Sequence, residues 1–227
     1  MLLLAFDTAT PAVTVALHDE SRVLAGSTRV DARRQGELLA PGIVDALREA
    51  GRTRDEITHI AVGVGPGPYT GLRVGIVTAL AMGDALGVPV HGVCTLDALA
   101  YAARRDGTVS GPFTAATDAR RKEVYWARYD DTGTRVDGPA VDRAGDIADA
   151  IEGLPAVGAG AALYPDAFPD ARGPAHPDAA ALAAFAVERL AAGGELPAPE
   201  PLYLRRPDAQ VPAGYKAVTQ DGPPPRA

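Results

Sequence analysis

The segment from residue 59 to residue 87 constrains the fold more than any other part of the chain. It begins with a short β-branched apolar run, passes through a loop rich in glycine and proline, and ends in a predicted helix. The helix, residues 71–87, has only two strongly polar side chains, Arg73 and Asp84. Because a surface helix normally carries a polar stripe, we expect this helix to be covered on both sides.

Small residues recur at every fourth position of this helix, which predicts a ridge that another element can approach closely. The ridge consists of Gly71, Gly75, Ala79 and Gly83, and the apolar bulk comes from Leu72, Ile76, Val77 and Leu80. One face is expected to pack on the chain's own sheet, and the other face to need a partner. A central position inside the fold is the alternative explanation of the same pattern.

Length and charge narrow the class of protein. A chain of 227 residues can build one large or two small domains with a proper core. The net charge of -7 disfavours a protein that grips nucleic acid by itself, because such affinity comes mainly from Lys and Arg on phosphates. If RNA is involved, we therefore expect a partner protein to hold it.

Cysteine usage and the start of the chain indicate a cytoplasmic protein. The single cysteine, Cys94, lies in an apolar run, so neither a disulfide framework nor a thiolate zinc site is expected. Met1 leads directly into an apolar run without a basic leader or a small-residue cleavage site. Arg73 and Asp84 interrupt the longest apolar segment, so no membrane span is expected.

The order of predicted elements repeats, which indicates an α/β fold with two lobes of duplicated βββαβα topology. In the first half, strands are predicted at 2–8, 13–17, 23–30, 59–64 and 88–93, and helices at 37–50, 71–87 and 96–104, the last capped by Thr95. In the second half, strands are predicted at 113–118, 123–129, 135–141 and 156–160, and helices at 143–151 and 178–192. The predicted lobes are residues 1–104 and 105–192.

Residues 193–227 form a proline-rich tail. The segment Leu202-Tyr203-Leu204 is its only part with enough apolar surface to dock, and we expect it to fold back on the first lobe. The remainder of the tail lacks the apolar residues of a core, so we expect it to be flexible.

An aspartate closes the first strand of each half, at Asp7 and Asp118. Asp7-Thr8 could be the vestige of a phosphate loop, but the favoured interpretation is an aspartate that hydrogen-bonds its own turn. The loop GPGPYTG at residues 65–71 is a poor phosphate cradle, because Pro66 and Pro68 each remove an N–H group. Weak anion binding by the amides of residues 69–71 stays open.

Other candidate groups for chemistry are isolated in the sequence. The four histidines, His18, His59, His91 and His176, have no partner at helical metal-ligand spacing, so no metal site is predicted. Cys94 has no neighbour that would lower its pKa, so it is not expected to be a nucleophile. The charged turn at residues 118–123 is expected to be solvated, with an ion pair between Asp118 and Arg120 across the lobe junction as the alternative.

Several segments resemble the TsaB (YeaZ) family: LLLAFDTATPAVTVAL, GELLAP, GVGPGPYTGLRVGI, GVCTLDALA, DARRKEVYWARY and EPLYLR. The resemblance covers residues 2–130 almost continuously and implies a two-lobed actin and Hsp70-like fold, of the ASKHA and ribonuclease H-like kind. It further implies a non-catalytic relative of TsaD that binds TsaD as a heterodimer. TsaD transfers the threonylcarbamoyl group to adenosine 37 of tRNAs reading ANN codons, with the ATPase TsaE and with TsaC as supplier of the activated group.

The same resemblance bears on the site. Many TsaB proteins keep a histidine of the TsaD metal site before the Glu-Leu-Leu segment, and here that position is Gln35. The chain is therefore expected to have no catalytic residue, metal or cofactor of its own, with nucleotide only at the interface with the partner. The predicted interface consists of Leu38, Leu39, Ile43, Leu72, Arg73, Gly75, Ile76, Ala79, Leu80 and Gly83. Isolated chains are expected to form a homodimer through the same patch.

On this interpretation, Ile76→Asp or Gly75→Glu should abolish heterodimer formation while the lobes stay folded. Two other functions stay open. The first is an ATP-dependent enzyme of the ASKHA type, which would need glycine-rich phosphate loops in both lobes. The second is an M22-type peptidase, for which the sequence offers neither metal ligands nor a nucleophile.

Overall fold

The computed structural model describes residues 1–205, which form two five-stranded mixed sheets with helices. The first sheet has the order β3-β2-β1-β4-β5, with β1 at Leu3–Asp7, β2 at Ala12–His18, β3 at Val23–Val30, β4 at His59–Gly63 and β5 at Val90–Val93. The second has the order β8-β7-β6-β9-β10, with β6 at Phe113–Arg120, β7 at Glu123–Tyr129, β8 at Arg135–Arg143, β9 at Ala156–Val157 and β10 at Ala171–Arg172. The two orders correspond strand by strand, which confirms the predicted duplication.

The helices also correspond between the halves. They are α1 (Gln35–Glu49), α2 (Tyr69–Leu86), α3 (Thr95–Arg105), α4 (Ala159–Leu163) and α5 (Ala179–Ala191), with 3-10 helices at Arg54–Glu56 and Ala144–Ile151. Each half thus exceeds the βββαβα unit by one strand and one helix. In the first half these two elements were predicted as β5 and α3, whereas in the second half β10 and α4 were not predicted. The sequence pattern missed β10 because two residues show no period. The strand predicted at 156–160 ends at Val157, and α4 begins two residues later.

The central strand β1 pairs antiparallel with β2 and parallel with β4, and all five of its residues are buried. Helices α1 and α2 cover one face of the first sheet, where Phe6, Val15 and Val62 contact their apolar side chains. Helix α5 covers the opposite face, on Leu3, Ala5 and Ala61. A strand covered on both faces reads as a continuous apolar run, as LLAFD does.

Two helices pack across the predicted boundary at residues 104 and 105. Helix α3 lies in the first half of the sequence, yet Leu96, Leu99 and Ala103 pack on Phe113 and other residues of the second sheet. Helix α5 lies in the second half, yet it packs on the first sheet, and the Ala179 amide donates to the Thr14 hydroxyl at 2.8 Å. The two halves therefore exchange their last helices, which no periodicity in the sequence could indicate.

Proline, glycine and capping residues bear on where the helices of the first lobe begin and end. Pro41 lies inside α1, which begins at Gln35. Gly87 adopts a φ of 66° and ends α2 in the left-handed region that favours glycine. The prediction that Thr95 caps α3 is wrong: Cys94 is the N-cap residue, and the Thr95 hydroxyl donates to Asp7 at 2.7 Å.

The segment before the undescribed end of the chain docks as predicted. The Leu202 amide donates to the Val64 carbonyl at 2.8 Å, and its side chain packs against the apolar clusters of both lobes. Arg205 forms an ion pair with Glu123 at 2.8 Å. The predicted flexible remainder, 206–227, lies outside the described residues. Within residues 1–205, no helix has both the length and the hydropathy that a membrane span requires.

Candidate functional site

The outer face of α1 and α2 is the first candidate site. The two helices contact each other, so their exposed side chains share one side of the first lobe. Three large aliphatic side chains on this side are open to solvent: Val44 is 61% exposed, Val77 60% and Leu80 46%. We call these three residues the outer apolar patch. Such exposure on neighbouring helices is typical of a surface that another protein covers.

The small-residue ridge of α2 points the other way. A Cβ atom added at Gly71 would lie 2.4 Å from the Thr8 carbonyl oxygen, and one at Gly75 would lie 2.6 Å from the Thr8 hydroxyl. At Gly83, it would lie 2.3 Å from a methyl group of Val90. The ridge therefore lets α2 approach the chain's own sheet closely, and it does not form part of the exposed surface.

The residues predicted for the partner interface separate into two groups. The first group is buried within the chain's own first lobe, and it consists of Leu39, Ile43, Leu72, Gly75, Ile76, Ala79 and Gly83. The second group reaches solvent wholly or in part, and it consists of Leu38, Arg73 and Leu80. Val44 and Val77 are exposed but absent from the prediction. Their offset of one position from the buried residues Ile43 and Ile76 was the available signal.

Asp7 and Thr8 hold the GPGPYTG loop, residues 65–71, against the end of β1. The Asp7 carboxylate is buried and accepts from the Ala9 amide at 2.6 Å and the Thr95 hydroxyl at 2.7 Å. Burial raises the pKa of Asp7 to about 6, and these hydrogen bonds counteract part of the increase. The bond to Ala9 confirms that Asp7 hydrogen-bonds its own turn.

The loop that follows β4 is fixed by the same group of residues. The Gly65 amide donates to the Thr95 hydroxyl at 3.1 Å, and the Thr95 amide donates back to the Gly65 carbonyl at 2.7 Å. Thr8 donates through its hydroxyl to the Gly71 carbonyl at 2.7 Å. The loop is therefore a rigid junction between two strands and a helix.

A cleft of about 780 Å³ between the lobes is the second candidate site. Its walls come from the turn after β1, the start of α2, the end of β6 and α4. Thr8, Thr70, Asp118 and His176 are among the polar residues that line it. Arg120 forms an ion pair with Asp118 at 3.5 Å, within the second lobe rather than across the junction.

Gln35 lines this cleft at the position where the resemblance places a lost metal-binding histidine. Its side-chain amide donates to the Ala32 carbonyl at 3.2 Å, so it is bound within its own turn. Among residues 1–205, no three His, Cys, Asp or Glu side chains are grouped as metal ligands. Cys94 is buried, which raises its pKa to about 12. Its thiol is thus a poor nucleophile at neutral pH.

Comparison with known proteins gives the family. The family model described as "TsaD: tRNA N6-adenosine threonylcarbamoyltransferase" matches residues 29–164. The solved structure of YeaZ from Pseudomonas aeruginosa is 32% identical with a TM-score of 0.77, and the match covers 89% of this chain and 99% of that one. The chain belongs to the TsaB/YeaZ family. This confirms the resemblance and the two-lobed fold.

Relatives of this TsaB/YeaZ chain differ in how far they match. An uncharacterized protein of Mycobacterium tuberculosis H37Rv is 47% identical over 216 residues, which cover 92% of this chain and 93% of that protein. The Escherichia coli K12 protein named "tRNA threonylcarbamoyladenosine biosynthesis protein TsaB" is 41% identical over 132 residues, which cover 57% of this chain and 55% of the relative. The named TsaB relative thus matches over about half of its length.

Proposed function

We propose that this chain is a non-catalytic scaffold subunit in the formation of N6-threonylcarbamoyladenosine at position 37 of tRNA. Family membership supports the pathway, since the Escherichia coli and Bacillus subtilis relatives are named for threonylcarbamoyladenosine biosynthesis. In this proposal the chain binds TsaD as a heterodimer and acts with TsaE, while TsaC supplies the activated group. Isolated chains form a homodimer, and tRNA contacts the chain only within the complex.

The outer apolar patch carries the proposal that α1 and α2 bind TsaD. Single exposed aliphatic residues are common on proteins, but Val44, Val77 and Leu80 lie on two helices that contact each other. Burial of such a patch is worth about 25 cal/mol per Å² of apolar surface. The exposed Arg73 would then lie at the polar rim of the interface.

The structure favours Val77 and Leu80 over Ile76 and Gly75 as positions for interface variants. Ile76 is 5% exposed, and any side chain at Gly75 meets Thr8. The expectation that Ile76→Asp or Gly75→Glu leaves the lobes folded is therefore wrong, because a charge at either position is forced into the core. Val77 and Leu80 are the matched positions on the same helix whose side chains reach solvent.

The test compares the double variant Val77→Asp and Leu80→Asp with Val136→Asp, which places a charge on a 58% exposed valine in β8. We expect co-purification of the organism's TsaD to fall at least tenfold for the double variant and to stay within twofold for the control. The melting temperatures of both variants should match the unmodified chain. TsaD recovery that is unchanged by the double variant would contradict the proposed docking face.

ATP-dependent catalysis is the second candidate function, and the inter-lobe cleft is the one observation that favours it. The buried Asp7 does not line this cleft, and its carboxylate is occupied by Ala9 and Thr95. Calorimetry with Mg-ATP, on the unmodified chain and on Leu163→Trp, tests the cleft, because Leu163 lines it from α4. ATP turnover that the tryptophan blocks would favour the enzyme over the scaffold.

A peptidase activity is the remaining alternative, because another solved relative is described by its similarity to peptidase YEAZ. Incubation with a denatured protein substrate, with and without a chelator, should give no cleavage products.

A further inference from the structure

A second concave surface lies on the α5 side of the first sheet, opposite the face that α1 and α2 cover. Helix α3, helix α5 and the turn between β7 and β8 enclose a cavity of about 510 Å³ there. Four arginines line it: Arg104 and Arg105 from α3, Arg135 from β8 and Arg189 from α5. On a chain with a net charge of -7, this is a local reversal of charge. We call this cavity the arginine pocket.

Among the described residues, carboxylates form direct ion pairs with two of the four arginines, and Asp97 also interacts electrostatically with Arg189 at longer range. Arg135 binds Asp97 with distances of 3.0 and 3.2 Å, and Arg105 lies 3.3 Å from Asp106. Asp97 also accepts from the Tyr129 hydroxyl at 2.8 Å, so its oxygens are already occupied. Within residues 1–205, neither Arg104 nor Arg189 has a carboxylate within 4 Å.

Arg104 provides the strongest indication of a missing acceptor. Its Nη1 atom is shielded from solvent and has no hydrogen-bond partner within the described part of the chain. A buried N–H group without an acceptor is energetically unfavourable, and more so when the group is charged. A bound anion would supply the acceptor oxygens and the negative charge together.

The walls of the pocket hold the arginines in place before a ligand arrives. The backbone of Gly133, with a φ of 81°, packs against the Arg104 side chain, where an added Cβ would lie 2.5 Å from Cδ. Asp130 stabilises this turn by accepting from the amides of Thr132 and Thr134, each at 2.9 Å. A rigid, preorganised wall lowers the entropy lost on binding.

Aromatic rings fix the remaining two side chains. The Arg189 guanidinium lies 5.4 Å from the centre of the Phe185 ring, and that of Arg105 lies 6.0 Å from the Tyr101 ring. The two rings meet edge to face at 5.8 Å. Glu188 accepts from the Tyr101 hydroxyl at the rim. Arg105 and Arg189 are thus both exposed and stacked near aromatic rings, which restricts their orientation.

We infer that the arginine pocket binds a small phosphorylated ligand, whose phosphate oxygens contact Arg104 and Arg189. Guanidinium groups match phosphate geometry with paired N–H donors, and the cavity is of the size that small ligands occupy. The pocket is separate from both the outer apolar patch and the inter-lobe cleft. The inference therefore stands independently of the proposed function.

Calorimetry with inorganic pyrophosphate and with ADP tests the inference on the full chain. We expect both to bind, and the double variant Arg104→Gln and Arg189→Gln to weaken binding at least tenfold. The control variant, Arg48→Gln with Arg54→Gln, removes the same charge from two exposed arginines and should stay within twofold. Replacing Arg104 and Arg189 by lysine should give intermediate affinity, since charge is kept but the paired donors are lost.

Three outcomes would overturn the inference. These are no binding of either probe at millimolar concentration, equal losses in the glutamine and control variants, and binding of a single-stranded oligouridylate without binding of pyrophosphate or ADP. If the glutamine pair lowers the melting temperature, the affinity of Arg189→Gln alone for pyrophosphate and ADP is the test. Arg189 is exposed, so its replacement cannot disturb the core.

Discussion

The two lobes share a strand order and a close contact between a glycine at a helix start and the end of the first strand. They differ in the length of the helix that contains this glycine. In the first lobe, Gly71 at the start of α2 lies against the Thr8 carbonyl at the end of β1. In the second, Gly160 at the start of α4 lies against Thr117 near the end of β6. Yet α2 has 18 residues and α4 has five. Both lobes have this close junction, but only the first lobe has a long helix after it.

This difference bears on the proposed docking surface. A long helix packed through small residues has an outer face that its own chain leaves exposed, as Val77 and Leu80 are on α2. The five-residue α4 covers much less of its sheet, and β9 and β10 have two residues each. Duplication of a fold therefore does not imply duplication of its binding surface.

The largest expected effect comes from filling the shared junction in each lobe. Gly71→Val would place its side chain on the Thr8 backbone, and Gly160→Val on the Thr117 backbone. Overpacking costs about 1–3 kcal/mol and sometimes more. We expect a loss of about 3 kcal/mol or more at Gly71 and about half of that at Gly160, because a five-residue helix can shift more easily.

Urea denaturation of the two valine variants measures this contrast. Gly145→Val, at an exposed glycine with open space around its Cβ position, is the control and should change the free energy of unfolding by less than about 0.5 kcal/mol. Equal losses at Gly71 and Gly160 would show that the second junction is as rigid as the first.

The next effect concerns Asp7, which ends β1, in contrast to Asp118, which lies inside the corresponding strand β6. Asp7 is fully buried, and its pKa is raised from 3.8 to about 6, so the native state holds the proton more tightly than the unfolded state. Stability should therefore fall as pH rises from about 4 to about 6 and stay lower above that. Two pKa units correspond to about 3 kcal/mol.

Denaturation of the unmodified chain and of Asp7→Asn at several pH values isolates this contribution. The unmodified chain should lose about 2.5 kcal/mol relative to Asp7→Asn between pH 4 and pH 7, because the unfolded chain is already partly ionised at pH 4. Asp118→Asn, at the partly buried aspartate of β6, is the matched control for the loss of a carboxylate. Parallel pH profiles for the unmodified chain and Asp7→Asn would refute it.

The smallest expected effect concerns the connection between the lobes. Arg205 donates to the Ala119 carbonyl and pairs with Glu123, each at 2.8 Å, from a segment anchored on the first lobe. Arg205→Ala should cost about 1 kcal/mol, since the pair is partly shielded from water. Arg48→Ala, which removes an exposed pair with Asp45 on α1, should cost less than about 0.5 kcal/mol. A loss at Arg48 as large as that at Arg205 would mean that the tail does not couple the lobes.

Sequence patterns predicted the elements well where a period or a turn residue is present. The ten-strand architecture was anticipated except for β10, and α2 was predicted within two residues of its observed ends. The buried Asp7 was predicted to bond its own turn, because aspartate does so over a separation of two residues. These features depend on neighbours in sequence.

The candidate site was less predictable, because it depends on which way a helix faces. Gly75 and Gly83 of α2 were assigned to a partner, whereas Thr8 and Val90 of the same chain lie against them. Helix periodicity reports that one side is compact but does not report whose backbone approaches it. The arginine pocket combines residues from three separate elements, so its members are unrelated in the sequence until the chain is folded.

The exchange of terminal helices has a consequence for synthesis on the ribosome. The face of the first sheet formed by Leu3, Ala5 and Ala61 stays open until residues 179–191 emerge and close it. A growing chain that ends near residue 104 thus carries an uncovered apolar sheet, which is a target for chaperones. The first half therefore cannot mature until α5 has been synthesised, whereas α3 is already present when the second sheet forms.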